Sequence, residues 1–190
     1  MKKWITLFLL FACAIGLLGC EDASLPTGAV PDEISDITVS FAGWHEGGFL
    51  GGLNADKMAE GKTKHFPIYK LDTLSDVAQF RENSTFVFDH SHNGFPAFND
   101  TVAKYDEDFF ATHSLLVIYL PAESGTYRYG VQSVVCEEGT LLVTVEQTNS
   151  PEAVTLDLSG WFITLAAPKS MLADCNTFDA VFGGIKKQPS

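Results

Sequence analysis

The chain is organised around the run Ser114-Leu-Leu-Val-Ile-Tyr-Leu120, which Pro121 closes. The run is short, uninterrupted and apolar, whereas a strand with one face in water would alternate apolar and polar residues. Proline has no backbone N–H, so Pro121 marks the end of the segment. The run therefore predicts a central β-strand that is buried on both faces.

Two alternating segments follow the central strand, after a turn at Glu123-Ser-Gly125. The apolar residues of the expected inner face are Tyr127, Tyr129, Val131 and Val135, and then Leu141, Val143 and Val145. Between the segments lies Glu137-Glu138-Gly139, whose glycine suits the positive φ of a tight turn. This pattern predicts a β-hairpin with one apolar face.

The remaining strands and helices are shorter, and they are predicted from local residue patterns. Strands are predicted at 37–41, 66–71, 85–88, 161–165 and 178–182, and Pro67 places the second of these at a sheet edge. Helices are predicted at 74–80, capped by Asp72 or Thr73, and at 107–113, capped by Asp106. We expect a mainly β (α+β) domain with two packed antiparallel sheets, sandwich-like, and one or two short helices.

The N-terminus has the pattern of a bacterial export signal. A basic start, Met1-Lys-Lys3, precedes an uncharged apolar stretch of 15 residues at 4–18. That length suits a signal peptide and falls short of the ~20 residues that span a bilayer. The stretch ends in Leu17-Leu18-Gly19-Cys20, which resembles the lipobox of bacterial lipoproteins.

The lipobox resemblance implies that Cys20 carries a diacylglyceryl group and that the signal is removed before it. Two acyl chains hold a protein stably on a membrane, where one would bind only marginally. We expect a signal peptide at 1–19, a lipidated tether rich in Pro, Gly, Ser and acidic residues at 20–36, and a single β-rich domain at 37–190. The domain would then be extracytoplasmic and lipid-anchored to a bacterial membrane.

The net charge limits the kinds of partner. The whole chain has 24 acidic and 12 basic residues and a net charge of −12. Without residues 1–19 the net charge becomes −14, because Lys2 and Lys3 are lost and no acidic residue is. A surface this acidic repels nucleic acid and anionic lipid headgroups. Membrane attachment must therefore come from the lipid on Cys20.

Two cysteines remain for the domain, since Cys13 lies in the signal and Cys20 is the lipidation site. Cys136 ends a hairpin strand, and Cys175 follows the strand predicted at 161–165. Exported proteins fold in an oxidising compartment, where paired cysteines form disulfides. A disulfide between Cys136 and Cys175 is the preferred interpretation, and two free thiols are the alternative.

The densest polar cluster lies at residues 89–100 and has three interpretations. Calcium-loop spacing, positions 1, 3, 5, 6 and 12, is matched by Asp89, Ser91, Asn93, Gly94 and Asp100. Zinc could instead be held by His90 and His92, with Asp89 or His45 as further ligands. Pro96 and the aspartate at position 12 depart from calcium loops. The third interpretation is an ordinary polar loop, in which case no cofactor is expected.

Large apolar side chains occur in two loops that could contact a partner. Trp44 and Phe49 stand among four glycines at 44–52, and Phe95 and Phe98 flank Pro96. Glycine at that density opposes regular structure, and loops carry many binding sites. The four aromatic residues are candidates for partner binding. The alternative is that Trp44 and Phe49 fold back on the core.

Local signatures of hydrolytic enzymes are missing from the sequence. It contains no Gly-x-Ser-x-Gly, no His-Glu-x-x-His and no phosphate-binding glycine loop. Ser124 most simply belongs to the turn before the hairpin. We therefore assign no catalytic residue, and an enzyme would need a site assembled from distant loops.

Core and turn motifs between residues 105 and 167 resemble the C-terminal domain of PrcB-like proteins. These motifs are Tyr105-Asp-Glu-Asp-Phe-Phe110, the central strand, Glu123-Ser-Gly-Thr-Tyr-Arg128, the hairpin, and Trp161 before the final strand. That family is associated with surface protease complexes. The resemblance implies a non-enzymatic accessory module that binds an exported protein, such as a secreted protease. The alternative function is a metal-binding or hydrolytic domain centred on residues 89–100.

Overall fold

The computed structural model describes residues 28–34, 36–44, 65–84, 86–155 and 157–186, with Trp44 described by its backbone only. The strands are β1 Asp36–Trp44, β2 His65–Phe66, β3 Ile68–Leu71, β4 His113–Ala122, β5 Tyr129–Glu137, β6 Thr140–Gln147, β7 Ser159–Pro168 and β8 Thr177–Ile185. The helices are α1 Leu74–Glu82, α2 Phe98–Val102 and α3 Glu107–Thr112.

The strands form two packed sheets, as predicted, and each sheet has four strands. The first sheet has the order β1-β7-β4-β3 and is antiparallel throughout. The second has the order β2-β8-β6-β5, and its β6 and β8 run parallel. Parallel neighbours need a crossover connection, and here β7 of the first sheet supplies it. The second sheet is therefore mixed, a detail that the expectation of antiparallel sheets did not include.

The central strand β4 is buried on both faces because two layers cover it. Leu116, Ile118 and Leu120 point into the core between the sheets. Leu115, Val117 and Tyr119 point into a second core beneath the helices. The first sheet is thus the middle layer of three, which explains the uninterrupted apolar run.

Aromatic rings fill the second core. Phe162 lies within 6 Å of several of them, and the rings around it belong to Tyr119, Phe80, Phe86, Phe88 and Phe98. The strand predicted at 85–88 is wrong for the described residues 86–88. These residues make only one backbone hydrogen bond to β1, from the Val87 N–H to the Ala42 carbonyl. Packing of Phe86 and Phe88, and not sheet formation, accounts for the alternation there.

The predicted hairpin is confirmed, but one of its face assignments is wrong. The turn residues Glu138 and Gly139 have φ of 49° and 77°, as a two-residue hairpin turn requires. A bulge between Val131 and Ser133 then shifts the alternation by one residue. Val134, and not Val135, therefore points into the core.

The helices show the predicted capping. The Thr73 side chain accepts a hydrogen bond from the Asp76 N–H at the start of α1, and Asp106 does the same for Phe109 in α3. The helix α2 was not predicted. Pro67 separates β2 from β3, and these strands lie at edges of different sheets.

The packed part of the chain begins before residue 37. The Ala29 carbonyl accepts a hydrogen bond from the Val134 N–H, and Ile34 is buried in the core between the sheets. Residues 28–34 therefore pack against the domain, and the boundary that assigned all of 20–36 to a tether is wrong for this part.

The disulfide between Cys136 and Cys175 is present, as predicted. It links the end of β5 to the segment that precedes β8, across a sequence separation of 39 residues.

Candidate functional site

Three connections meet at one end of the sandwich, and we call this surface the loop end: residues 89–97, 123–128 and 148–158 of the described chain. The strand register brings them together. Ser159 at the start of β7 pairs with Ala122 at the end of β4 and with Trp44 at the end of β1. In the second sheet, Tyr129 pairs with Gln147. The end of β1 at Trp44 therefore lies at this same end of the sandwich.

The first connection contains a tight turn at Asn93-Gly94. His92 and Phe95 exchange two backbone hydrogen bonds of 2.9 and 3.1 Å, and both turn residues have positive φ. Asn-Gly is the preferred pair for such a turn. The turn directs the His92 ring onto Phe41, at 4.7 Å between ring centroids.

Asn149 fastens the second connection to the third. Its Oδ1 accepts a hydrogen bond from the Arg128 N–H at 2.8 Å, and its Nδ2 donates to the Thr126 carbonyl at 2.9 Å. Gln147 Nε2 in turn donates to the Asn149 carbonyl at 2.7 Å. These bonds hold the two loops in one arrangement.

A network of hydroxyl groups around Asp157 fastens the same two loops a second time. The Asp157 carboxylate accepts hydrogen bonds from Thr155, Ser159 and the Gly125 N–H. The Ser124 hydroxyl lies 2.8 Å from Thr126 Oγ1 and 3.1 Å from Thr155 Oγ1. The loops therefore form a rigid surface.

Gly125 is needed where the network is tightest. A Cβ atom at this position would lie 2.6 Å from Asp157 Oδ2, 3.0 Å from Ser159 Oγ and 3.4 Å from His92 Nε2. Because these groups converge on the glycine, all three connections are in contact there.

Arg128 is the only arginine or lysine among the described residues of the loop end. Its guanidinium carbon lies 4.9 Å from the centre of the Phe95 ring and 5.5 Å from that of Trp161. Its Nη1 donates to the carbonyls of Gly125 and Tyr127 at 2.8 and 2.9 Å. Stacking and hydrogen bonding together fix the position of the guanidinium group.

Exposed apolar side chains complete the loop end. Val154 is 45% exposed and Leu158 is 42% exposed, and both belong to the connection between β6 and β7. Exposed apolar side chains and a stacked arginine on one set of loops are features that protein interfaces favour.

The geometry of the serines differs from that of a nucleophile with its base. Ser124 and Ser159 are buried, and their hydroxyl groups bond to Thr126, Thr155 and Asp157. Within the described ranges, no serine hydroxyl is hydrogen bonded to a histidine. The hydroxyl groups hold the loops together.

The metal-ligand candidates are engaged in separate contacts. Asp89 accepts a hydrogen bond from Asn99 Nδ2, and the Asn93 amide nitrogen lies 2.8 Å from His92 Nε2. His90, Ser91 and Asp100 are exposed. Among the described residues, no three His, Cys, Asp or Glu side chains are grouped as ligands of one metal ion. His45 lies outside the described residues.

Of the four side chains predicted to bind a partner, the structure describes two, Phe95 and Phe98. Phe95 is partly buried beneath Arg128, at the loop end. Phe98 is fully buried in the second core, so its assignment to a partner-binding surface is wrong. The Trp44 side chain, Phe49 and the lipidation site Cys20 lie outside what the structure describes.

Arg128, Val154 and Leu158 were not among the residues predicted from the sequence. The Asn93-Gly94 pair was available as a signal for the tight turn that the structure shows. No sequence signal connects Asp157 with Gly125, because their contact depends on the pairing of β4 with β7.

Two open cavities lie away from the loop end. One of about 320 Å³ lies between β3 and α1 and includes Tyr69 and Phe80. The other, of about 630 Å³, lies on the outer face of the second sheet beside Glu137, Glu138 and Asp179. Burial raises the pKa of Tyr69 at the first cavity.

Within the described residues, no helix is both long and apolar enough to cross a membrane. Comparison with protein-family models, with curated proteins and with solved structures found no match. The resemblance to PrcB-like proteins therefore stays a prediction, and any function must be argued from the loop end itself.

Proposed function

We propose that this chain is a non-catalytic cell-surface lipoprotein, anchored through Cys20, that binds an exported protein such as a secreted protease. The observation that carries the proposal is the composition of the loop end. The loop end carries a fixed arginine stacked on an aromatic ring, and its loops, which hydrogen bonds hold together, expose Val154 and Leu158. Rigid loops favour binding because little conformational entropy is lost when a partner docks.

The direction of β1 supports this use of the loop end. Asp36 pairs with Ala166 and Trp44 pairs with Ser159, so β1 begins at the opposite end of the sheet and runs towards the loop end. A chain anchored before β1 can therefore present the loop end away from the membrane. Partners would reach it without a clash with the lipid surface.

Site-specific photo-crosslinking tests the proposal. The full-length lipoprotein would carry a photoreactive amino acid at Val154 in its native cell envelope. We expect one exported protein to be crosslinked from this position, because Val154 is the most exposed apolar side chain of the loop end. Mass spectrometry would identify the captured protein.

Leu74 provides the matched control. It is 43% exposed, nearly as much as Val154, and it begins α1 at the opposite end of the first sheet. Equal crosslinking from both positions would show non-specific capture. No crosslink from Val154 or Leu158 in a folded, membrane-bound protein would contradict the proposal.

A further inference from the structure

We infer that Arg128 is a receptor for a carboxylate group of the bound partner, either a C-terminal carboxylate or an acidic side chain. This inference rests on the proposed function, because it names the chemistry that the loop end recognises. It goes further in assigning one residue, one ligand group and a specificity that can be measured with small molecules.

Arg128 is held in position before any ligand arrives. Phe95 and Trp161 lie against its guanidinium group, and two backbone carbonyls bind Nη1. Asn149 fixes its backbone N–H as well. An arginine side chain ordered in this way loses little further freedom when it binds.

The contacts within the protein do not use all the hydrogen-bond donors of the Arg128 side chain. Both side-chain hydrogen bonds of Arg128 use Nη1. Nε and Nη2 make no hydrogen bond with the described residues, and neither is among the buried polar atoms that lack a partner. These N–H groups therefore keep some exposure to solvent. Together they form the planar pair of donors that binds the two oxygens of a carboxylate.

The lysines of the described chain differ from Arg128 in their contacts. Lys70, Lys104 and Lys186 each pair with a carboxylate of this protein. Lys169 donates to the carbonyls of Asp72 and Phe110. Arg128 forms no ion pair with a described carboxylate, although acidic residues outnumber basic ones two to one in the chain. Its charge remains available to an external anion.

Carboxylates differ from other anions at this position. Phe95 lies directly under the guanidinium group. A carboxylate that carries an apolar group can contact the Phe95 ring and the guanidinium group at once. Inorganic phosphate can use only the charge.

The composition of the chain makes a direct test simple. It contains two arginines, Arg81 and Arg128, so arginine Nε–H NMR spectra of the ¹⁵N-labelled full-length protein in nanodiscs hold at most two signals. Arg128→Lys would identify the Arg128 signal by its loss. The probe is N-acetyl-leucine, and its matched control is N-acetyl-leucinamide, which differs only in having no charged carboxylate.

We expect N-acetyl-leucine to shift the Arg128 signal saturably and to leave the Arg81 signal in place. The amide should bind about tenfold more weakly, because a charge-assisted hydrogen bond is lost. An equal response to the amide, or a shift that never saturates, would overturn the inference. So would equal binding of inorganic phosphate, which would indicate a site for any anion.

A second experiment separates this inference from the proposed function. Crosslinking from Val154 would be repeated in the Arg128→Lys protein, which keeps the charge and loses the planar fork. If the wild type captures a partner and capture falls at least fivefold in the variant, both the proposed function and the role of Arg128 are supported. Undiminished capture in the variant overturns the role of Arg128 alone. Carboxylate binding without any capture overturns the proposed partner alone.

Discussion

Tyr105 and Asp36 are 69 positions apart in the sequence, and the tyrosine hydroxyl donates a 2.8 Å hydrogen bond to Oδ2 of the aspartate. Lys104 approaches the same oxygen at 2.6 Å. Asp36 is the first residue of β1, so these contacts fasten the start of that strand to the segment between α2 and α3. These contacts hold together the end of the sandwich that lies opposite the loop end.

Replacing this tyrosine by phenylalanine should destabilise the domain. We expect Tyr105→Phe to lower the free energy of unfolding by about 1 kcal/mol, the usual value of one lost hydrogen bond. Urea denaturation followed by tryptophan fluorescence would measure it. Tyr127→Phe is the control, because its hydroxyl bonds to none of the described residues, and a loss as large there would contradict the assignment.

Stability should fall as the pH is lowered from about 5 to about 3. Burial raises the pKa of Asp36, but hydrogen bonds from Lys104 and Tyr105 outweigh burial and lower the pKa below its ordinary value. A carboxyl whose folded pKa is lowered stabilises the fold above its unfolded pKa and loses this contribution on protonation. Asp72 behaves in the same way through Lys70 and Ser114.

The pH effect can be assigned by substitution. Chemical denaturation between pH 3 and 7 should show a shallower dependence in Asp36→Asn than in the wild type. Asp100→Asn, at an exposed position of α2, is the control. An unchanged slope in Asp36→Asn would show that this carboxyl does not contribute.

The disulfide should be a main contributor to stability. It closes a loop with a sequence separation of 39 residues, and the chain-entropy relation gives about 4 kcal/mol for this length. We expect Cys136→Ser with Cys175→Ser to lose about that amount in chemical denaturation. A reducing agent should lower the stability of the wild type and leave the double variant unchanged, and equal stability of the two proteins would contradict the prediction.

Gly125→Ala should disturb the loop end. The added methyl group would lie 2.6 Å from Asp157 Oδ2, so the carboxylate or the backbone must move. We expect a loss of about 1–3 kcal/mol, as for other overpacked sites. In an Asp157→Ala background the same substitution should cost less, since the nearest atom has been removed. Additive losses in this double-mutant cycle would contradict the proposed clash.

Calcium and zinc should not stabilise the protein. The metal-ligand candidates at 89–100 are engaged in separate contacts or exposed, and no three His, Cys, Asp or Glu side chains of the described residues are grouped as ligands of one ion. After EDTA treatment, added CaCl2 or ZnCl2 should change the melting temperature by less than about 1 °C. A saturable rise that disappears in Asp89→Ala would restore the metal-binding hypothesis.

Local patterns predicted the elements that local interactions determine. The central strand, the hairpin turn and the caps at Thr73 and Asp106 depend on neighbours within a few residues, and all are present. The predictions failed where a contact between residues far apart in the sequence determines the structure. Phe98 could be read as an exposed loop residue, because its burial depends on Phe162, which lies 64 positions further along the chain.

The sequence alone determined that the domain has a β-rich core, that β4 is buried on both faces and that Cys136 and Cys175 are the pair available for a disulfide. Alternation, turn residues and composition carry that information directly. Only the tertiary structure decided that Arg128 lies against both Phe95 and Trp161. The reason is physical, since that juxtaposition depends on the register of β4 with β7 and of β5 with β6, and no local pattern encodes either register.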